Sequence, residues 1–322
     1  MNKTALIIGA SGQDGSFLTS FLSKKKYNII CASRDADSNN FLNHKILKIN
    51  GNIVYVTLNI NEMSTILKVL DKYKPDEIYN LAAQSSVGLS FEKPIETVQS
   101  IICGTLNILE AIKFSKIKTK FYNAGSSEAF GNHDTIPINE LTKLKPISPY
   151  GISKASAFDF VTMYRTSYSI FACTGVLFNH ESNLRGAKFV TRKIIETAVK
   201  IKKGLEENLI LGNLDIHRDW GWAPEYVEAM WLMLQQDSPD DFIIATGKTH
   251  SLEDFVRYAF ECLNLDYKTH LKTEKKFYRP QDIRINLADP NKAFKILTRK
   301  IRETSQHAIQ AILVRQNMVE FL

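Results

Sequence analysis

The segment Tyr122-Asn123-Ala124-Gly125-Ser126-Ser127-Glu128, followed by Tyr150 with Lys154 four residues on, carries the groups needed for two kinds of proton chemistry. Of the twelve tyrosines, only Tyr150 has a lysine at that spacing. On a helix the spacing puts ammonium and phenol on one face, a turn apart. A phenol with an unperturbed pKa of about 10 is a poor base near neutrality. A neighbouring ammonium favours the phenolate and is expected to lower that value. Tyr150 can then take a hydroxyl proton while a hydride leaves the carbon bearing it. Ser126 and Ser127 can hydrogen-bond the oxygen that becomes a carbonyl. Glu128 adds what reduction of a simple ketone does not need, a carboxylate able to remove a proton from carbon beside that carbonyl. The bland alternatives are a helix-start tyrosine packed on the core and an acid favoured by a helix dipole.

These side chains need a scaffold, and the first half of the chain supplies a recognisable one. Short β-rich apolar runs at Ala5–Ile8, Ile29–Ala32, Ile53–Thr57, Glu77–Asn80, Phe121–Asn123 and Ala172–Leu177 alternate with helical patterns at 16–24, 62–73, 104–114 and 150–168. Such alternation predicts an α/β fold, a doubly wound Rossmann-type parallel sheet with a smaller C-terminal substrate-binding lobe. Ligands are expected beyond the carboxyl ends of the strands. The dinucleotide-binding domain is read as 1–178, receiving a return of the chain over about 213–245, and 179–322 is read mainly as the second lobe. Helical patterns at 190–203 and 226–235 and apolar runs at 209–211 and 242–245 fall in that half. A terminal amphipathic helix is the only expectation for the tail.

Gly9-Ala10-Ser11-Gly12-Gln13-Asp14-Gly15 directly follows the first strand and opens a helix. Glycines there allow a tight turn and close backbone approach to a pyrophosphate, which the helix N-terminus then attracts. At the end of the second strand stands Ser33-Arg34-Asp35. Arginine pairs with a ribose 2′-phosphate and an acid with a free 2′-hydroxyl, so Arg34 favours NADP over NAD.

Composition narrows the classes. The 322 residues are 44% apolar, enough for a sizeable core, and the formal net charge is +7. That charge suits a diphosphate-bearing ligand, and no zinc-finger spacing or RNA-binding aromatic signature points to nucleic acid. The N-terminus runs straight into an apolar strand, and no apolar run approaches the roughly 20 residues of a membrane span. A soluble, cytoplasmic protein is expected. Cys31, Cys103, Cys173 and Cys262 lack metal-ligand spacing and are read as buried free thiols.

Further strings make a resemblance specific: Gly12-Gln13-Asp14-Gly15, Pro75 to Ser85 (PDEIYNLAAQS), Leu177 to Ser182 (LFNHES), Phe189 to Lys193 (FVTRK), Arg218-Asp219-Trp220-Gly221 and Phe277-Tyr278-Arg279-Pro280. From Gly9 to about Leu297 the chain resembles the GDP-mannose 4,6-dehydratases, extended short-chain dehydrogenase/reductases. The resemblance implies a lyase of nucleotide-sugar metabolism that recycles its NADP and makes a 4-keto-6-deoxy sugar. Ser126 matches the position where threonine is usual, and Glu128, Tyr150 and Lys154 complete the catalytic set. Cofactor binding is implied for Gly9, Ser11, Gly12, Gln13, Asp14, Gly15, Arg34, Asn59, Ile60, Leu81, Ala82, Ala83, Gln84, Ser85, Tyr150, Lys154, His180 and Arg185. For the sugar nucleotide it implies Ser85, Ser126, Ser127, Glu128, Tyr150, Asn179, Lys193, Arg218, Arg279 and Asp282, with no metal. A GDP-sugar is the expected partner, and a homodimer or homotetramer the expected assembly.

The departures are local. Arg34-Asp35 replaces a usual Arg-Arg, and the loop after it, which helps build a tetramer in family members, differs. Asn59-Ile60 replaces Asp-Leu, Asn183-Leu184 replaces Pro-Arg, and Asp282 stands for glutamate. Residues 298–322 do not match. A GDP-heptose dehydratase, a sugar-nucleotide reductase or epimerase, and a non-enzymatic NADP-binding sensor or inactive paralogue stay open as alternatives.

Overall fold

The computed structural model describes residues 2–36 and 41–298. Seven parallel strands build the central sheet: β1 (Thr4–Ile8), β2 (Asn28–Ser33), β3 (Ile53–Thr57), β4 (Glu77–Asn80), β5 (Lys120–Ala124), β6 (Ala172–Leu177) and β7 (Phe242–Ile244). Their spatial order is β7-β6-β5-β4-β1-β2-β3. Parallel strands covered on both faces read as continuous apolar runs, and Ala5 to Ile8 are all buried. The chain winds outward from β1 to β3, then resumes on the other side of β1 with β4. That reversal opens a crevice at the carboxyl ends of β1 and β4.

Two cores flank the sheet. On one face α1 (Gln13–Lys24) and α6 (Ala223–Gln235) cover Ala5, Ile7, Tyr79 and Tyr122. On the other, α2 (Met63–Tyr73), α3 (Pro94–Ser115) and α4 (Pro149–Tyr168) cover Leu6, Ile8, Ile78 and Phe121. Full burial of such side chains contributes about 1.5–3 kcal/mol each. With its 22 residues, α3 is long and apolar enough, by length and composition, to cross a bilayer, which a search for uninterrupted apolar runs does not foresee. Glu96, Glu110 and Lys113 interrupt it, and its inward residues Ile108, Leu109 and Ile112 belong to the sheet's core.

Local chemistry explains where α4 begins. Ser148 caps α4 by accepting from the Gly151 N–H at 3.0 Å, and Pro149 occupies the first turn, where a missing N–H costs nothing. A Cβ on Gly151 would lie 2.5 Å from the Glu128 carbonyl oxygen. Glycine therefore lets the first turn of α4 sit directly on the backbone that carries Glu128.

After β6 the chain builds a second core from α5 (Val190–Lys202) and α7 (Leu252–Glu261), with Ile194, Ile195, Trp220, Phe255 and Phe260 buried. There Leu209–Leu211 pairs in parallel with Leu271–Thr273. Between these visits the chain returns to the first layer, as α6 packs on α1 through Phe21 and Trp231 and β7 pairs with β6. The cysteines correct one expectation. Cys31 and Cys173 are buried, but Cys103, in the wide turn within α3, is exposed, and Cys262, just past the end of α7, is half-buried. The expected terminal helix lies outside the described residues.

Candidate functional site

The glycine loop fits a dinucleotide pyrophosphate on steric grounds. Gly9 has φ +89°, and a Cβ there would lie 2.8 Å from the Ala82 nitrogen. At Gly15 it would lie 2.4 Å from the Gly9 oxygen, so this glycine lets α1 pack onto the turn. Gly12 differs, since its only close neighbour would be the Gly9 oxygen at 3.4 Å. The loop is thus closed toward the protein at Gly9 and Gly15 and open at Gly12, where α1 presents its N-terminus. Ser11 stands beside it, and its carbonyl accepts from Asn43 Nδ2 at 3.1 Å.

Gln13 and Asp14 tie this loop to the chain beyond β6. Gln13 Nε2 donates to the His180 carbonyl at 3.2 Å, and Ser182 Oγ donates to Gln13 Oε1 at 2.7 Å. His180 Nδ1 faces the Phe178 carbonyl at 2.7 Å, and Nε2 faces Asp14 Oδ2 at 2.9 Å. Both partners only accept, so both ring nitrogens carry protons and His180 is an imidazolium. Burial opposes that charge, but Asp14 outweighs it and raises the pKa of His180. Burial likewise works against the Asp14 carboxylate, and His180 turns the balance so that its pKa falls below the usual value. Arg185 pairs with Glu181 at 3.1 Å and stacks 3.6 Å over the Phe189 ring.

The other cofactor-side residues line the strand ends. Arg34 is exposed beyond β2. Asn59 Nδ2 donates to Glu62 at 2.7 Å, while Ile60 is buried against Gly104. Leu81, Ala82, Ala83 and Gln84 follow β4 half-buried, and Ser85 is exposed. Gln84 is fastened to α3 through Thr97 at 3.2 Å and Ser100 at 3.3 Å. The residues after Thr97 form a wide π turn, Gln99–Cys103, and its Ile101 packs on Tyr150. Such turns re-aim side chains within an otherwise regular helix.

Ser126, Glu128, Tyr150 and Lys154 converge at the carboxyl end of β5. The Glu128 N–H donates to Ser126 Oγ at 3.3 Å, and Ser126 hydrogen-bonds the Tyr150 phenol. Lys154 Nζ donates to the Ala124 carbonyl at 2.7 Å and lies 5.7 Å from the centroid of the Tyr150 ring. The expected lowering of the Tyr150 pKa is not found in the protein alone. Burial dominates and pushes the phenol up to about 12, with Ser126 and Arg185 pulling the other way. Lys154 meanwhile falls to about 8 through its own burial, against the pull of Asp14.

Glu128 has no side-chain hydrogen bond among the described residues. Loss of solvation on burial raises its pKa, Arg218 and Arg279 oppose the rise, and Asp282 adds to it. Arg218 is itself buried, donating to the Ile283 carbonyl at 2.7 Å and to Asp282 at 2.7 Å. Arg279 stands more open and reaches Asp282 at 3.3 Å. The second lobe therefore brings two guanidiniums to the carboxylate on the β5 turn. Lys193 is further engaged, donating to the Ile210 carbonyl at 2.7 Å beneath the Phe277 ring. Asn179 offers its carbonyl to Tyr226 Oη at 3.5 Å.

Over most of its length the chain matches one group of known proteins. A family described as GDP-mannose 4,6 dehydratase matches residues 6–311. The chain belongs to this family. A relative from Arabidopsis thaliana, "GDP-mannose 4,6 dehydratase 1", is 43% identical over 305 residues, covering 92% of this chain and 84% of its own length. "GDP-mannose 4,6 dehydratase" from Homo sapiens is 40% identical, with 93% and 87% covered. Among solved structures, dTDP-glucose 4,6-dehydratase from Bacillus anthracis in complex with NAD superposes with a TM-score of 0.83. It covers 98% of both chains at 20% identity, a likeness of fold.

Sequence reasoning missed two residues of this dehydratase-family site. Gly151 sits inside the Tyr-x-x-x-Lys string, yet its contact with Glu128 depends on how α4 docks. Asn286 is buried and donates from Nδ2 to Ser127 Oγ at 2.8 Å. Its only sequence signal is an amide within the apolar run Ile283, Ile285, Leu287.

Proposed function

We propose that this chain converts GDP-mannose to GDP-4-keto-6-deoxy-mannose, using a nicotinamide cofactor that is regenerated each turnover. The observation that carries this reading is the position of Glu128, within electrostatic reach of Tyr150 on one side and of Arg218 and Arg279 on the other. A ketone reductase needs the phenol, and only an elimination needs the carboxylate. When bound, the nicotinamide supplies the acceptor for the C4 hydride and its later donor to C6.

The chain's own groups do the proton work. Tyr150 takes the 4-hydroxyl proton while Ser126 hydrogen-bonds the same oxygen. The resulting 4-ketone acidifies C5, and Glu128 removes that proton and passes it to the C6 hydroxyl, which leaves as water. A proton then returns to C5, balancing the one that Tyr150 took from the 4-hydroxyl, so that both groups end the turnover as they began it. Arg218, Arg279 and Lys193 hold the diphosphate end, for which planar guanidiniums are suited. Fed GDP-mannose with a catalytic amount of NADP⁺, the protein should yield a product lighter by one water, with no net cofactor reduction. Stoichiometric consumption of reduced cofactor without loss of water would overturn the reading.

NADP is our reading of the cofactor, resting on Arg34, a guanidinium exposed just beyond the end of β2. Arg34→Ala is expected to weaken NADP⁺ binding about tenfold or more while leaving NAD⁺ binding unchanged. Calorimetric titration of both nucleotides checks this. We also read the protein as a homodimer formed through the outer faces of α3 and α4. Ile95, Phe114, Ile152 and Tyr168 are exposed there, apolar surface that a second copy would cover.

A further inference from the structure

Segment 282–289 touches both halves of the site. Arg218 Nη1 donates to the Ile283 carbonyl at 2.7 Å, and the His217 N–H donates to the Arg284 carbonyl at 2.7 Å. Asn286 returns its own N–H to the His217 carbonyl at 3.0 Å. On its other side the segment is bonded to the chain beyond the Glu128 turn. The Ile138 N–H donates to Leu287, the Asp289 N–H to Ile138, each at 2.8 Å, and the Arg284 N–H to Asn132 Oδ1 at 2.9 Å. One side chain crosses directly to the catalytic turn, Asn286, whose Nδ2 donates to Ser127 Oγ at 2.8 Å.

Asn286 is 1% exposed, and its Oδ1 has no partner among the described residues. A buried amide oxygen left unpaired costs stability, and an aliphatic side chain of similar volume would avoid that cost. Its one side-chain bond holds the residue before Glu128, while its backbone holds the residue before Arg218. We infer that Asn286 is a positioning residue, setting the distance between the Glu128 turn and the Arg218–Arg279 pair. The inference rests on the dehydratase reading for its consequence in turnover, but the linkage itself is independent of substrate.

The charged and titratable groups facing Glu128 are Arg218, Arg279 and Asp282 from the second lobe and Tyr150 from α4. The two arginines hold the carboxylate down against its burial. Loosening the turn takes Glu128 away from them, so its pKa rises. A general base must be ionised, so the acid limb of the rate profile moves to higher pH.

Asn286→Leu removes the bond, keeps the volume, and leaves every backbone bond of the segment in place. Its kcat for GDP-mannose dehydration is expected to fall about tenfold to a hundredfold, as a small misplacement of a reacting group does. KM should stay unchanged while the acid limb shifts upward. Ser127→Ala should reproduce the loss, and the double variant should be no worse than either single one. Carbon-13 NMR of glutamate-labelled protein, with Glu128→Gln for assignment, follows the Glu128 carboxyl without any substrate. An upward shift of that titration in Asn286→Leu supports the linkage even if GDP-mannose proves not to be the substrate. An unshifted Glu128 titration, or additive losses in the double variant, would overturn it.

Discussion

Glu128→Gln is expected to lower GDP-mannose dehydration by at least about a hundredfold, the scale of a positioned general base. Glutamine keeps the volume and leaves the backbone bond from residue 128 to Ser126 in place. It cannot take a proton from carbon. Asp282, the other carboxylate that faces it among the described residues, already accepts from Arg218 and Arg279. Cofactor affinity should not change, since the glycine cradle, Asp14 and His180 lie elsewhere in the crevice. Proton transfer from the 4-hydroxyl to Tyr150 remains possible, so the variant should accumulate reduced cofactor on adding GDP-mannose, visible by its absorbance. The pH profile adds a second readout. Burial raises the Glu128 pKa, so wild-type activity should fall as acid protonates it, at a pH above the ordinary carboxylate range, and that limb should vanish in the variant. Undiminished water loss by Glu128→Gln would remove Glu128 from the mechanism.

Much of the scaffold is legible because parallel strands covered on both faces leave an unmistakable pattern. The fully buried strands Glu77–Asn80 and Ala172–Leu177 are found where the apolar runs put them, as is the more exposed edge strand Ile53–Thr57. The helix Leu252–Glu261 was missed, although Ser251 and Asp254 form a capping box that marks its start. Within the site, local strings are easy to read and long-range pairings are not. Ser126, Glu128, Tyr150 and Lys154 announce themselves by type and spacing. The His180–Asp14 pair joins the first helix to the chain just beyond β6, and only docking of that segment onto α1 reveals it. The Tyr150 pKa failed for a related reason. Spacing puts Lys154 beside the ring, but its proton goes to the Ala124 carbonyl, and burial of the phenol is a tertiary property no motif encodes.

That burial shapes the second large effect. Tyr150→Phe is expected to reduce turnover by about a hundredfold to ten-thousandfold, because among the described residues no other side chain hydrogen-bonded to Ser126 can take the 4-hydroxyl proton. Lys154→Met should cost a comparable amount by a different route, and the two can be told apart by pH. In the protein alone the phenol sits at about 12 and the lysine at about 8. The ammonium is therefore present below pH 8 and lost as the pH rises through that value. If its charge supports proton transfer to Tyr150, wild-type kcat should decline above about pH 8, following the lysine's pKa. Lys154→Met has no such charge to lose, so its residual rate should lack that decline. Tyr150→Phe keeps the lysine but has no phenol for it to assist, so its residual rate should also be free of the alkaline limb. A Lys154→Met variant that kept full activity, with the limb intact, would place the titrating group elsewhere and leave the buried lysine only its bond to Ala124.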